Sequence, residues 1–487
     1  MTLEPSNKLN QSLQRFSNIL SQAEIQAILD TQEQPLSTSI RLNALKTTPH
    51  ETIHDLSQRY GWQLEPIHFC KNAWKIIDAE TSPGGTIEHR MGMYYLQDAA
   101  SMVPVSLFEI NQSEPLILDL AASPGGKTTH LIDRSGDKGL IIANDGSQGR
   151  IPALRAVLET WGGINQVITN YPGEPFGGWF PETFDIVLLD APCSMENLRP
   201  TPNHPLRETS TDERLRLKER QIQLLSSGLQ ALKTGGQLVY ATCSLAPEED
   251  EAVISALLDK YPDTFEIEDV SKQFQFKAPG LTAFEGETYH PQLIKSMRLW
   301  PHLTNMSGFF CALLTKHGEM ETGREMPPNR DFSATHLEPL RKDVKIQIMD
   351  QIKQNYGFNL ENVLEAHAVD LFKRFDQLFL IPQIYIDHFS TLPYEYIGMP
   401  LGQWHQNSLV PSHAFASRFG REFTRGIIVI EDSHVGMWIS GRDIRHPQNE
   451  QAPKGQYLLV NDQDERNLGL GKLLPKRLRN MLPRGLI

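Results

Sequence analysis

The sequence predicts an α/β fold built on a doubly wound, mostly parallel sheet. Three observations carry this. From Leu116 onward, short apolar runs alternate with helix-like stretches: LILDL, GLIIAND, QVITN, FDIVLLD and QLVYATC are separated by segments such as RIPALRAVLETWGG. Such alternation builds parallel sheets with helices on both faces. The run LDLAASPGGKTTHL has the form strand, glycine turn, helix, and in such sheets ligands sit beyond the carboxyl ends of the strands. A chain of 487 residues also exceeds one ordinary core, so smaller domains are expected around the sheet.

The elements follow in order. SLQRFSNILSQAEIQAILD has apolar residues at helical spacing, and Pro35 closes that segment. TSIRLNAL reads as a strand opening a small α/β unit, which gives a first domain over 1–105. The doubly wound core occupies 106–316. Within it, RIPALRAVLETWGG reads as a helix stopped by paired glycines. ERLRLKERQIQLLSSGLQALKTGG is an amphipathic helix with Gly235-Gly236 at its expected end, and GFFCALLTK is a late strand. HGEMETGREMPPNRD is polar, with Gly and paired Pro, and reads as a linker. A linker and intermediate domain is expected over 317–395, and a compact tail with short strand-like runs over 396–487.

Composition narrows the function. Apolar content of 39% and charged content of 22% fit a soluble globular protein. The N-terminus lacks a basic-then-apolar leader, and no apolar run approaches the roughly 18 residues of a membrane helix. Four cysteines, Cys70, Cys193, Cys243 and Cys311, are too few and too scattered for a disulfide framework or a Cys-x-x-Cys metal site. No metal is expected, and a reducing cytoplasm is the expected compartment. A net charge of −13 argues against a surface coated for nucleic acid but leaves room for a local basic groove.

The glycine turn carries a specific chemistry. Gly125 and Gly126 let a ligand approach the backbone closely. Asp145 ends the next strand, where an acid commonly accepts ribose hydroxyls. A phosphate-loop reading of GGKT fails, because the required first glycine is Ala121. A dinucleotide Gly-x-Gly-x-x-Gly is absent too. The short loop suits an adenosyl ligand without a pyrophosphate, such as S-adenosylmethionine. An ordinary tight turn also fits the loop taken alone.

Two strand-like runs end on cysteines, in Asp190-Ala191-Pro192-Cys193 and in Thr242-Cys243-Ser244. With SIRLN, GMYYLQDAAS, AASPGGKT, DAPCS, YATCS, RLWPH and GFF in this order, residues 36–316 resemble the Fmu and Sun family of RNA cytosine-5 methyltransferases. The resemblance implies a Rossmann-like, S-adenosylmethionine-dependent core. It implies Cys243 as the nucleophile that adds to carbon 6 of cytosine, making carbon 5 reactive. It implies Cys193 as the group that helps break the adduct, Asp190 on the base edge, and Lys127 beside the reacting groups. Cofactor contacts are expected from Ala121, Ala122, Ser123, Pro124, Gly125, Gly126, Lys127, Asp145, Arg150 and Asp190.

Three departures stand out. The family's Gly-x-Gly after Pro-Cys-Ser is Met195-Glu196-Asn197 here, followed by Arg199 and Pro200. Pro172 stands where an aspartate usually contacts adenine, with Glu174 as a nearby substitute. Ser307 stands where aspartate is common. With Lys127, Asp145, Asp190, Cys193 and Cys243 all present, an active enzyme is expected.

The tail resembles a PUA-like RNA-binding barrel and carries Arg466, Lys472, Lys476, Arg477, Arg479 and Arg484 with no acid among them. A solvated basic face is the plainer reading. RNA contacts are expected from Arg41, Arg199, Lys472, Lys476, Arg477 and Arg479. The expected partner of a monomeric chain is RNA: ribosomal RNA, with 16S the first expectation, and otherwise transfer RNA. A non-catalytic RNA-binding or ribosome-assembly factor is the reading from another class.

Overall fold

Seven strands form the body of a nine-stranded central sheet: β1 (Leu116–Asp119), β2 (Leu140–Asn144), β3 (Gln166–Thr169), β4 (Phe184–Asp190), β5 (Leu232–Thr242), β6 (Phe265–Ile267) and β7 (Phe309–Lys316), with Met297–Leu299 paired to β7 and Tyr396–Ile397 to β3. Their spatial order is β6-β7-β5-β4-β1-β2-β3. β1 to β5 run parallel, while β7 lies antiparallel between β5 and β6. The computed structural model describes residues 9, 12–33, 36–199, 209–274, 278–445 and 455–486; Pro35 and Pro200 lie outside them.

Both faces of the sheet are covered, which is why its strands read as continuous apolar runs. Ile117, Ile141 and Ile168 point into one core, and Leu118, Ile142 and Val167 into the other. Four helices connect the strands: α1 (Gly126–Ser135), α2 (Ile151–Trp161), α3 (Thr211–Ala231) and α4 (Glu251–Lys260). α2 stops at Gly162, whose φ of 86° is the left-handed cap that glycine favours. The glycine pair after α3 plays another part than expected. α3 ends at Ala231, and Gly235-Gly236 lie inside β5, within a break in its register with β4.

The order in which strands are added reverses between β1 and β4: β2 and β3 lie on one side of β1, β4 and β5 on the other. The carboxyl ends of these two strands therefore open a crevice. Asp119 ends β1, Asp190 ends β4, and Cys243 directly follows β5.

Before the core, a four-stranded antiparallel sheet is ordered Gln63–Pro66, Ala73–Asp78, Ser39–Leu42, Tyr94–Leu96. Arg41 of this sheet was expected on RNA, and the fold corrects that. Its side chain is fully buried, pairs with Asp133, donates to Thr129 Oγ1 at 2.6 Å and stacks on Trp161. It fastens the small sheet to α1 and α2.

After the core come two five-stranded sheets. One runs from Glu338 to Pro411 and the other from Ile427 to Asn480. The expected boundary between 395 and 396 cuts the first of these, because Gln377–Pro382 pairs with Met399–His405. Between them Tyr396–Ile397 adds an antiparallel strand to the β3 edge. Lys46 joins three parts of the chain: its buried ammonium donates to Met91 O at 3.0 Å, Thr160 O at 2.6 Å and Ser417 Oγ at 2.7 Å. No helix among the described residues is long and apolar enough to cross a membrane.

Candidate active site

A cleft of about 490 Å³ opens at the crevice between β1 and β4. The loop after β1 supplies Ala121, Ala122, Ser123, Pro124, Gly126 and Lys127 to its wall. Gly125 is the N-cap of α1, with a φ of 110° that favours glycine. Gly126 is needed for a different reason: a Cβ there would lie 2.8 Å from the ring of Tyr95.

Asp190 and Cys243 face the same cleft. The sulfurs of Cys193 and Cys243 lie 3.0 Å apart. Lys127 Nζ donates to Asp190 Oδ2 at 2.7 Å and sits 5.2 Å from the centre of the Phe309 ring. Burial opposes the charge on Lys127, but Asp190 more than offsets this and its pKa is raised. The hydrogen bond to Cys243, and then burial, push the Cys193 thiol well above its usual range. Cys193 therefore holds its proton.

Asp145 ends up buried at the end of β2. Its carboxylate accepts the amides of Ser123 at 3.1 Å and Ser147 at 2.9 Å, with Arg150 at 3.5 Å. Arg150 also donates to Ser123 O and lines the cleft. Asp145 thus braces the loop after β1. Glu174, read as a substitute for the missing adenine contact, pairs instead with Arg220 at 3.0 Å.

The family-departing loop keeps a glycine-like backbone without the glycines. Met195 has φ 63° and Leu198 has φ 56°. Met195, Asn197 and Ser307 line the cleft, so two of the three departures border the reacting groups. Arg199 is only 3% exposed and donates to Asn305 Oδ1 at 2.8 Å, which removes it as an RNA contact.

Two carboxylates escaped the sequence reading. Asp119 is 1% exposed, accepts from Thr128 Oγ1 at 2.7 Å, and leaves Oδ1 without a partner at the cleft wall. Burial pushes its carboxyl up to about 7. Its signal was present in LDL, as the acid ending the first core strand. Glu249 belongs to the acidic run Glu248–Glu251 after Pro247, where an exposed carboxylate would be ordinary. Instead it is fully buried and accepts from Ser194 N at 2.8 Å, Ser244 Oγ at 3.0 Å and Gln221 Nε2 at 3.2 Å, as well as from Ser194 Oγ. Ser194 follows Cys193 and Ser244 follows Cys243, so one carboxylate ties both cysteine loops together. Its neighbour Glu251 pairs with buried Arg298 through two bonds of 2.7 and 2.6 Å.

The small N-terminal sheet completes the cleft with Tyr95, Gln97 and Asp98. The predicted tail residues lie on the last sheet. Lys476, Arg477 and Arg479 are exposed, and Lys472 is partly buried over Tyr457. Folding brings acids to this basic run: Arg477 pairs with Asp443 at 3.0 Å, and Arg466 pairs with Asp462 at 2.6 Å.

The fit to S-adenosylmethionine rests on charge and space. The ligand is cationic at its sulfonium and its ammonium, and the cleft offers the unpartnered oxygen of Asp119 beside a loop of small residues. This fold and site define an S-adenosylmethionine-dependent RNA methyltransferase. The comparisons agree. The family described as 16S rRNA methyltransferase RsmB/F matches residues 106–315, and the N-terminal domain of 16S rRNA methyltransferase RsmF matches residues 10–99. Ribosomal RNA small subunit methyltransferase F of Aeromonas salmonicida is 32% identical over 93% of this chain and 91% of its own. That of Vibrio parahaemolyticus is 30% identical over 98% and 96%. A methyltransferase homologue from Pyrococcus horikoshii superposes with a TM-score of 0.56 at 29% identity, over 65% of this chain and 100% of its own. The chain belongs to the ribosomal RNA small subunit methyltransferase F family.

Proposed function

We propose that this chain methylates carbon 5 of a cytosine in 16S ribosomal RNA, with Cys243 as nucleophile and Cys193 as the group that releases the product. The observation that carries this is the 3.0 Å approach of the two sulfurs beside the Lys127–Asp190 pair.

S-adenosylmethionine, when bound, supplies an electrophilic methyl group. The loop from Ala121 to Lys127, with Asp119 and Arg150, would hold it. The cytosine must leave its stack to reach the cleft. Asp190 holds its edge at N3 and the exocyclic amine, and Lys127 keeps Asp190 in place. Cys243 Sγ adds to carbon 6, which is covalent catalysis that divides one hard step into two easier ones. The closeness of Cys243 is the first cause that holds the Cys193 thiol high. Once Cys243 Sγ is bonded to carbon 6 it is a weaker hydrogen-bond acceptor, and that cause weakens. Cys193 then ionises more readily and can take the proton from carbon 5 as the Cys243 bond to carbon 6 breaks. On this reading the release step follows the attack.

We assign the reaction to the cytoplasm, to RNA of the small ribosomal subunit and to a chain acting as a monomer. The C-terminal sheet is assigned as a PUA-like RNA-binding unit.

The test is a denaturing gel of the Cys193→Ala variant with S-adenosylmethionine and small-subunit RNA. A slow-migrating protein–RNA adduct that vanishes in Cys193→Ala/Cys243→Ala is expected. Persistence of the adduct in the double variant, or its formation only with transfer RNA, overturns the assignment of residue or of substrate respectively.

A further inference from the structure

A second groove lies where Tyr396–Ile397 joins the β3 edge. It consists of two adjoining hollows of about 640 and 180 Å³ that share Arg374, Gln377, Tyr394 and Glu395. No residue lining it lines the methyl-transfer cleft.

Three guanidinium groups stack on rings along this groove. Arg330 lies 5.0 Å from the centre of Tyr394, Arg374 lies 5.4 Å from that of Phe379, and Arg155 lies 5.2 Å from that of Tyr396. Stacking occupies the face of a guanidinium and leaves its N–H edge for an acceptor. Among the described residues neither Arg330 nor Arg374 forms an ion pair, although Glu395 lines the same hollow. Arg330 Nε is buried without a hydrogen-bond partner.

At the rim stands Phe375. It occupies the tip of the hairpin between Val369–Arg374 and Gln377–Pro382, where Arg374 pairs with Gln377. It is 78% exposed and has φ 56°. Asparagine and glycine fit such a turn; a bulky ring there costs backbone strain and exposes apolar surface to water. Packing on His336, whose ring centre lies 5.4 Å away, leaves most of the Phe375 ring bare and does not account for a phenylalanine at this point. A flat ligand that covers the ring does.

We propose that this groove binds a single-stranded segment of the RNA substrate, with phosphates on Arg330 and Arg374 and a base stacked on Phe375. Stacked bases on aromatic rings beside cationic side chains are how unpaired nucleic acid is held. Asp376 and Glu395 line the same groove and repel phosphate, so they suit the base edges of one strand better than the two phosphate backbones of a duplex. The inference rests on RNA being the substrate.

The test uses the full chain and a fluorescein-labelled single-stranded RNA of mixed sequence, read by anisotropy across a salt series. Arg330→Ala/Arg374→Ala is expected to weaken binding about tenfold and to flatten the log–log salt slope by about 1.4, at about 0.7 per lost phosphate contact. Phe375→Ala is expected to weaken binding about tenfold with the slope unchanged. Both should raise the KM for ribosomal RNA and leave kcat and S-adenosylmethionine binding unaltered. Phe375 is exposed, so its replacement leaves the melting temperature in place and keeps the test free of misfolding. Unchanged affinity and slope in both variants, or no binding by the unaltered protein, overturns the groove. Methyl transfer by the unaltered protein is followed in parallel. If transfer occurs and the groove variants bind normally, the groove assignment alone falls. If the variants lose binding but the unaltered protein transfers no methyl, the functional assignment alone falls.

Discussion

The carboxylate of Glu249 accepts the backbone amide of Ser194 at 2.8 Å. The same carboxylate reaches Ser244, so the residues following both cysteines hang from one buried group. The 3.0 Å sulfur separation is a consequence of this tie. Glutamine at this position keeps the volume but offers one acceptor oxygen where four donors converge. Glu249→Gln is expected to lower kcat by about a hundredfold, the scale of a displacement near 1 Å at reacting groups. The KM for S-adenosylmethionine should stay unchanged, since Glu249 does not line the cleft. Steady-state kinetics with both substrates check this; a normal kcat would show that the cysteine loops hold their spacing without the tie.

The sheet and the cysteine pair were legible in the sequence because each rests on local pattern. LILD, LIIAN and QVIT are apolar without alternation, as strands covered on both faces must be. Cys193 and Cys243 were legible through their neighbours Pro192, Thr242 and Ser244. Arg41 was misread because burial is a tertiary fact: nothing in SIRLN announces Asp133, 92 residues further on. The part played by Glu249 was hidden for the same reason, since its partners Ser194 and Gln221 lie 55 and 28 residues earlier. The boundary at residue 395 failed because the next sheet is built by strands on both sides of it.

Asp119 gives the cofactor site a pH dependence. Burial, which is the largest cause, raises its carboxyl to about 7, and nearby Asp190 adds to this. The folded-state value lies above the unfolded one, so this group's contribution to stability falls as pH rises toward 7. A cationic ligand has the opposite preference, since its charge favours the ionised carboxylate. Binding of S-adenosylmethionine should therefore tighten by up to about tenfold between pH 6 and 7.5 and release a proton. Calorimetry in buffers of different ionisation enthalpy reads both effects. Asp119→Asn should remove the pH dependence; a flat profile in the unaltered protein defeats the prediction.

Met195 carries strain that glycine would relieve. A side chain at φ 63° costs about 1–2 kcal/mol, while glycine costs about 0.5–1 kcal/mol of unfolded-state entropy. Met195→Gly should therefore be neutral or more stable by about 1 kcal/mol, seen as an unchanged or raised thermal midpoint. The loop also borders the cleft beside Cys243, so added freedom should shorten the life of the RNA adduct in single-turnover assays. A lowered midpoint would mean that Met195 contributes packing greater than its strain.

The basic tail separates into two kinds of cation. Arg466 is held by Asp462 at 2.6 Å and reaches Glu88 of the N-terminal domain at 3.4 Å, so it joins domains. Lys476 and Arg479 are exposed and available to phosphate. Deleting residues 466–487 cannot separate these roles, because Leu468, Leu470, Leu473 and Leu478 are buried in the last sheet and its core. Charge reversal can. Lys476→Glu/Arg479→Glu should weaken binding to structured ribosomal RNA and flatten the salt slope by about 0.9 per lost duplex contact, with the melting temperature unchanged. Arg466→Ala should do the reverse, lowering the melting temperature while leaving the slope in place. If both variants shift the slope alike, Arg466 also contacts RNA in the complex, and its ion pairs must open when RNA binds.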